Sequence, residues 1–232
     1  VWDYLDNSRT QEAYNKIVNG DADIIFVAQP SDGQKKRAEK SGVTLLYTPF
    51  AREAFVFIVN ADNPVNSLTE QQVRDIFSGA ITNWRTVGGK DQEIQTWQRP
   101  EDSGSQTVMQ SQVMKNVRMI SPQETEVASM MEGMIKVVAE YRNTNNAIGY
   151  TFSYYATQMN ADKNIKLLAI NGIAPTAENI RNGKYPYIVD AFMVTRENTT
   201  SETQKLVEWF LTPQGQSLVE DVGYVPMYPT MK

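Results

Sequence analysis

A short apolar run, residues 94–97, leads into Gln98-Arg99-Pro100-Glu101-Asp102-Ser103-Gly104-Ser105-Gln106-Thr107, and a helix-like pattern follows over residues 108–114. That order sets the carboxyl end of a strand against the start of a helix, with an arginine and a Ser-Gly-Ser turn between them. It collects the donors an oxyanion needs. The Arg99 guanidinium offers a planar fork of N–H groups. Gly104 lets the backbone approach a ligand, Ser103 and Ser105 add hydroxyls, and the first N–H groups of the helix point outward with the positive end of its dipole. Capping alone accounts for the same spacing, because Asp102, Ser103 and Ser105 are all good N-caps beside a surface arginine.

Composition narrows the function classes. The chain has 232 residues, 41% hydrophobic and 21% charged, which suits one domain or two small lobes. A net charge of −5 gives no basic footprint for nucleic acid, so an anion would have to be captured locally. With no cysteine and no histidine, the usual zinc sites, thiol chemistry, disulfides and a Ser-His-Asp triad are excluded, and no cofactor is expected. No run of about 18 apolar residues is present, so no membrane span is expected. The first residue is Val1 and no leader pattern follows it, so any signal peptide is expected to have been removed or left out.

Along the chain, residues 12–18 have helical spacing with Ala13, Tyr14, Ile17 and Val18 on one side, stopped by Asn19-Gly20. Asn7, Ser8 and Thr10 just before it are candidate caps, a second helix start with donors to spare. Residues 22–28 read as a buried strand of a parallel sheet, followed by Gln29-Pro30-Ser31 at its carboxyl end, where open α/β sheets place ligands. A polar helix is predicted over 32–42, strands over 43–47 and 54–59, and a helix over 69–77 that ends at Ser78-Gly79. Trp84 reads as a packing residue. Helices are predicted over 107–115 and 125–141, strands over 147–150 and 165–170, and a short helix over 177–182. Methionines 109, 114, 119, 130, 131 and 134 suit adaptable core filling better than metal ligation. Tyr150, Tyr154 and Tyr155 are candidates to line a cleft. A returning strand is predicted over 187–194, then a helix over 201–211 with Leu206, Val207, Phe210 and Leu211 inward, broken by Pro213.

Residues 99–106, RPEDSGSQ, resemble the R-x-x-x-S-G-[ST] phosphate loop of the substrate-binding proteins of phosphate-specific ABC transporters, in the branch that reads R-P-E-x-S-G-S-Q. The likeness extends through residues 68–84, Ala147-Ile148-Gly149-Tyr150, residues 210–216 and Gly223-Tyr224-Val225-Pro226. It implies an α/β, two-lobed, periplasmic-binding-protein-like fold of type II, with open mixed sheets and helices on both faces. One lobe would be discontinuous, about 1–56 with 191–232, and the central lobe, about 57–190, would carry the Arg99 to Gln106 loop. It implies phosphate or a similar tetrahedral oxyanion bound by Arg99, Ser103, Gly104, Ser105 and Gln106, with Ser8, Arg9 and Thr10 from the other lobe. The ligand would pass to the membrane permease of an ABC transporter, and the location would be extracytoplasmic, in the periplasm or at the cell surface, with lipid anchoring of the full-length protein left open.

The chain departs from that pattern in two places. Ala28 and Gln29 stand where many relatives carry serine followed by arginine, or an aspartate. Residues 1–5 resemble the family's second strand, so the first strand, first helix and one arm of the clamp are expected to be missing and replaced by a separate segment, a partner protomer or a rearranged lobe. These departures motivate an alternative, a sensor, adhesion or protein-interaction module on the same fold. Glu101 and Asp102 beside the loop could suggest phosphoryl chemistry, but no histidine, cysteine or metal constellation supports an enzyme.

Overall fold

The computed structural model describes residues 5–6, 8–122, 131–140, 146–159 and 161–231. Its helices are α1 (Thr10–Asn19), α2 (Asp32–Lys40), α3 (Glu70–Ser78), α4 (Gly104–Val108), α5 (Met131–Glu140), α6 (Ala177–Arg181), α7 (Ser201–Phe210) and α8 (Pro213–Asp221). The strands are β1 (Ile24–Val27), β2 (Leu45–Asn60), β3 (Ser67–Leu68), β4 (Gln95–Thr96), β5 (Ala147–Phe152), β6 (Ile165–Leu167), β7 (Ala169–Ile170), β8 (Ile188–Arg196) and β9 (Val225–Pro226).

β2 organises the fold. Its first part pairs antiparallel with β8, from Leu45 opposite Arg196 to Ala54 opposite Ile188, and touches β9 at Ala51 and Arg52. Its last part pairs with β5, from Phe55 opposite Phe152 to Val59 opposite Ile148, and with β6 at residues 58–60. The main order is therefore β1-β8-β2-β5-β4, while β3 and β7 form a small parallel pair. The two strands predicted over 43–47 and 54–59 are one. Pro49 has no N–H to give a ladder, and the pairing with β8 shifts register between Pro49 and Ala51, so the strand passes the proline through an irregularity.

β1 corrects a second expectation. Among the described residues it pairs with β8 alone, and antiparallel, rather than with parallel neighbours on both sides, and Phe26 is 47% exposed. A continuous apolar run does not separate the two cases, because each face of β1 meets a different cluster. Ile25 and Val27 lie with Ala13, Tyr14, Ile17 and Val194, whereas Ile24 packs against Phe50, Met193, Val207 and Val219. Leu206, expected inward on α7, is 40% exposed, and Val207 takes the core position.

The largest core surrounds the second half of β2. Residues 54–59 are fully buried, and Phe55, Phe57, Phe77 and Tyr150 form a ring-to-ring cluster with centroids 5.5–6.5 Å apart. Each such side chain contributes about 1.5–3 kcal/mol on burial. Trp84 lies in the same core and donates its indole N–H to Asn146 O at 2.9 Å, as a packing residue should. Met109, Met114 and Met134 are core, Met119 packs partly against it, and the side chains of Met130 and Met131 fall outside the described residues. Most of the helix predicted over 125–141 before Met131, and the strand reading of residues 1–4, also fall outside them. Among the described residues no helix is long and apolar enough to cross a membrane.

Candidate functional site

Arg99 follows β4 and is 9% exposed. Its position is set from the core outward. Tyr150, wedged among Phe55, Phe57 and Phe77, turns its hydroxyl to accept the Arg99 backbone N–H at 3.1 Å and donates to Gln106 Oε1. Gln106 Oε1 also accepts the Arg99 N–H at 3.3 Å. The Gln106 side chain and the Tyr150 hydroxyl thus position the arginine. Burial drives the Arg99 guanidinium down to about 10; Tyr150 and Tyr155 oppose this, and the positive charge of Arg9 adds to it. A desolvated cation still charged at neutral pH is stabilised by an anion brought beside it.

The turn after Arg99 closes at Ser103, the N-cap of α4. Ser103 Oγ accepts the Gln106 N–H at 3.3 Å and Ser103 O accepts the Thr107 N–H at 2.9 Å. Gln106, expected as a backbone donor to ligand, is therefore committed within the cap. Gly104 and Ser105 hold the first N–H groups of a helix that continues as a π-helix over Met109–Met114, and such groups have no acceptor of their own within a helix. Ser105 is 1% exposed, and its Oγ has no hydrogen-bond partner among the described residues.

The other half comes from α1 and β1. A Cβ added to Gly104 would lie 3.1 Å from Thr10 Oγ1, 3.2 Å from the Ala28 methyl and 3.7 Å from Phe152, so the approach needs glycine. The spacing-based expectation for α1 is corrected in part. Its N-cap is Arg9, which makes no side-chain cap bond, and Thr10 is the first helical residue. Ser8 is half-buried and Arg9 exposed; the residue at the cap position is Arg9, with no side-chain oxygen to accept from the first turn, and Asn7 falls outside the described residues. Of the predicted site residues, Arg99, Ser103, Gly104 and Ser105 share one turn. Thr10 faces that turn from across the chain, and Arg9 reaches it by charge.

Gln34 and Glu53 had no sequence signal, and Gln29, Tyr150 and Tyr154 take partners that sequence spacing does not give. Gln29 donates to Ser111 Oγ at 2.7 Å and Gln34 is buried beside Asp102. Glu53 is 8% exposed on β2, where the strand changes partners, and Tyr154 N–H donates to its Oε2 at 3.1 Å. Burial pushes that carboxyl up to about 8, with the Tyr154 bond opposing. Tyr154 stacks on Tyr224 with ring centroids 4.3 Å apart, and Tyr150 works through backbone support. Among the described residues no group of three or more acidic, histidine or cysteine side chains is placed to hold a metal ion.

A mixed α/β architecture joined through one long strand, with helices packed about it, is the two-lobed periplasmic-binding-protein-like fold. The chain belongs to the family described as the PBP superfamily domain, which it matches over residues 4–214. It is similar to the phosphate-binding protein PstS of Bacillus subtilis, 29% identical over 170 residues covering 73% of this chain and 53% of that protein. It is also similar to the PstS of Staphylococcus epidermidis, 26% identical over 227 residues, 93% of this chain and 67% of the relative. The chain thus spans between about half and two thirds of the length of these curated relatives. Among solved structures, a phosphate ABC transporter substrate-binding protein with bound phosphate from Clostridium perfringens superimposes with a TM-score of 0.76 at 24% identity, covering 93% of this chain and 84% of that one.

Proposed function

We propose that this chain binds phosphate, or a similar tetrahedral oxyanion, between two lobes as the solute-binding component of an extracytoplasmic import system, handing it to the membrane permease of an ABC transporter. The observation that carries the reading is the pair Arg99 and Ser105. A guanidinium depressed by burial and a buried hydroxyl without a partner among the described residues stand at the start of α4, opposite Thr10. Both favour a bound oxyanion. Relatives named as phosphate-binding proteins and a similar fold with bound phosphate support the ligand class. The roles are Arg99 as charged fork, Ser103 and Ser105 as hydroxyl donors, the Gly104 and Ser105 N–H groups as backbone donors, and Ser8, Arg9 and Thr10 as the opposing arm. The lobes divide near residues 56 and 191, where β2 and β8 cross. On this reading the chain turns over no substrate.

Equilibrium dialysis with radiolabelled phosphate, sulfate as competitor and Arg99→Ala as control, tests the proposal. Charge-assisted bonds contribute about 1.5–3 kcal/mol each, so the variant should lose at least about tenfold in affinity. Retention within twofold sinks the assignment.

Among the described residues β1 pairs on one side only, with β8, and this supports a further element of the reading. A strand hydrogen-bonded on one side keeps a second row of amides and carbonyls to pair, which favours completion of that side by another strand, supplied by a separate segment or a partner protomer. Hydrogen exchange at the outward amides of β1 should be slow in the full-length assembled protein; fast exchange there counts against it.

A further inference from the structure

Asp102 stands in the left-handed region at φ 62°, a backbone position that suits glycine, yet it carries a charged side chain. That side chain spans to elements on the other side of the cleft. Ser31 Oγ donates to Asp102 Oδ1 at 2.5 Å, and Ser31 is the N-cap of the nine-residue α2, with a complete capping box to Gln34. Gln34, 2% exposed, donates from one amide nitrogen to Asp102 O at 3.2 Å and to Gln11 Oε1 at 3.0 Å, while its oxygen accepts the Ser31 N–H at 2.9 Å. A Cβ added to Gly33 would lie 3.3 Å from Asp102 Oδ1, so the first turn of α2 is bare where the carboxylate approaches. A carboxylate at a helix start is favoured by the dipole as well as by the hydroxyl. One turn further, Gln29 donates to Ser111 Oγ at 2.7 Å and accepts from Gln112 at 3.4 Å, a second set of contacts along the same seam.

We propose that Asp102, held by Ser31 and Gln34 at the start of α2, is a latch that fixes the Arg99 turn against the opposite lobe and sets how slowly a bound oxyanion escapes. It is a positioning residue: the carboxylate docks on α2, and the next three residues of the same turn, Ser103, Gly104 and Ser105, carry the groups that face the ligand. The latch rests on the phosphate-binding reading for its effect on ligand release, but its effect on lobe closure does not.

Asp102→Gly is the informative variant, because glycine adopts the observed backbone without strain and only the carboxylate is lost. Asp102→Asn keeps an acceptor for the Ser31 hydroxyl and serves as the conservative rescue. Stopped-flow measurement should give a phosphate dissociation rate raised about tenfold in Asp102→Gly, with the association rate within about threefold of wild type and Asp102→Asn in between. The chain has no cysteine, so Lys36→Cys and Lys90→Cys, both exposed, allow spin labels on opposite sides of the seam. Without any ligand, Asp102→Gly should shift the label distances toward longer values and Asp102→Asn should restore them. Unchanged distances in Asp102→Gly overturn the latch. If wild type fails to bind phosphate while the distances still respond, the ligand assignment fails and the latch stands. If binding is intact but neither distance nor dissociation rate changes, the latch fails and the ligand assignment stands.

Discussion

Replacing Glu53 with glutamine should remove a pH dependence of stability built into the crossing strand. An unfolded-chain glutamate ionises near pH 4.5, while burial on β2 pushes the folded carboxyl up to about 8. The folded state therefore holds a proton that the unfolded state releases. The contribution is fully present below pH about 4.5, falls as pH rises, and is exhausted once pH passes about 8. Within that window the slope is about 1.4 kcal/mol per pH unit. Between pH 5.5 and 8.5 wild type should lose about 3 kcal/mol relative to Glu53→Gln, whose side chain still accepts the Tyr154 N–H without titrating. For a chain of this size each kcal/mol moves Tm by roughly 2–4 °C, so the gap between variant and wild type should widen by about 6–12 °C over that range. Melting curves of both proteins at the two pH values decide it. A gap that stays constant within about 2 °C would refute the claim that Glu53 is buried as the neutral acid.

Ser105→Ala separates ligand binding from packing: removing a buried hydroxyl that has no partner among the described residues should leave stability equal or slightly higher, yet phosphate affinity should fall about fivefold or more, as read by denaturation and titration on the same sample. Gly104→Ala should act mainly on the ligand-bound arrangement, since the new methyl would sit 3.1 Å from Thr10 Oγ1 and 3.2 Å from Ala28. Overpacking of that kind costs about 1–3 kcal/mol, so affinity should drop about 5- to 150-fold, and a change below twofold would show that the lobes do not need this contact. Tyr150→Phe removes the hydroxyl between Arg99 N–H and Gln106 and should cost about 1–3 kcal/mol in urea unfolding together with weaker phosphate binding; a loss of neither would mean the arginine is held without it.

What could be read from the chain in advance is what local chemistry dictates. Thr69 with Gln72 forms the capping box of α3, Gly20 and Gly79 close helices in the left-handed conformation, and Ser103 caps α4, all as the residue types imply. The apolar run over 54–59 reads as a strand, and in the structure it lies fully buried within β2. Pairing direction was not local information. Ile24, Ile25, Phe26 and Val27 would suit either an inner parallel strand or an antiparallel edge, and only β8 as neighbour settles it. The strands read over 43–47 and 54–59 are one because a register shift in the ladder next to Pro49 carries the chain between them. Leu206 and Val207 are adjacent apolar residues on α7, and the choice of which faces inward depends on where Phe50 and Met193 lie. At the site, the Arg99 turn was legible because its donors are contiguous in sequence. The Asp102 to Ser31 contact joins residues 71 apart, and Glu53 gains its character only from the burial around it. The family resemblance carried the step from an anion loop to a two-lobed binding protein, which spacing alone left beside ordinary helix capping.

Arsenate is isosteric with phosphate and its anomalous scattering locates the central atom directly, so a crystal structure of the chain grown with arsenate is the sharpest test. The predicted result is one anomalous peak within hydrogen-bonding reach of the Arg99 guanidinium, the Ser105 hydroxyl and the Gly104 N–H, with Thr10 on its far side. A peak elsewhere, for example beside the exposed Lys115 and Arg118, with none at Arg99, would contradict the account.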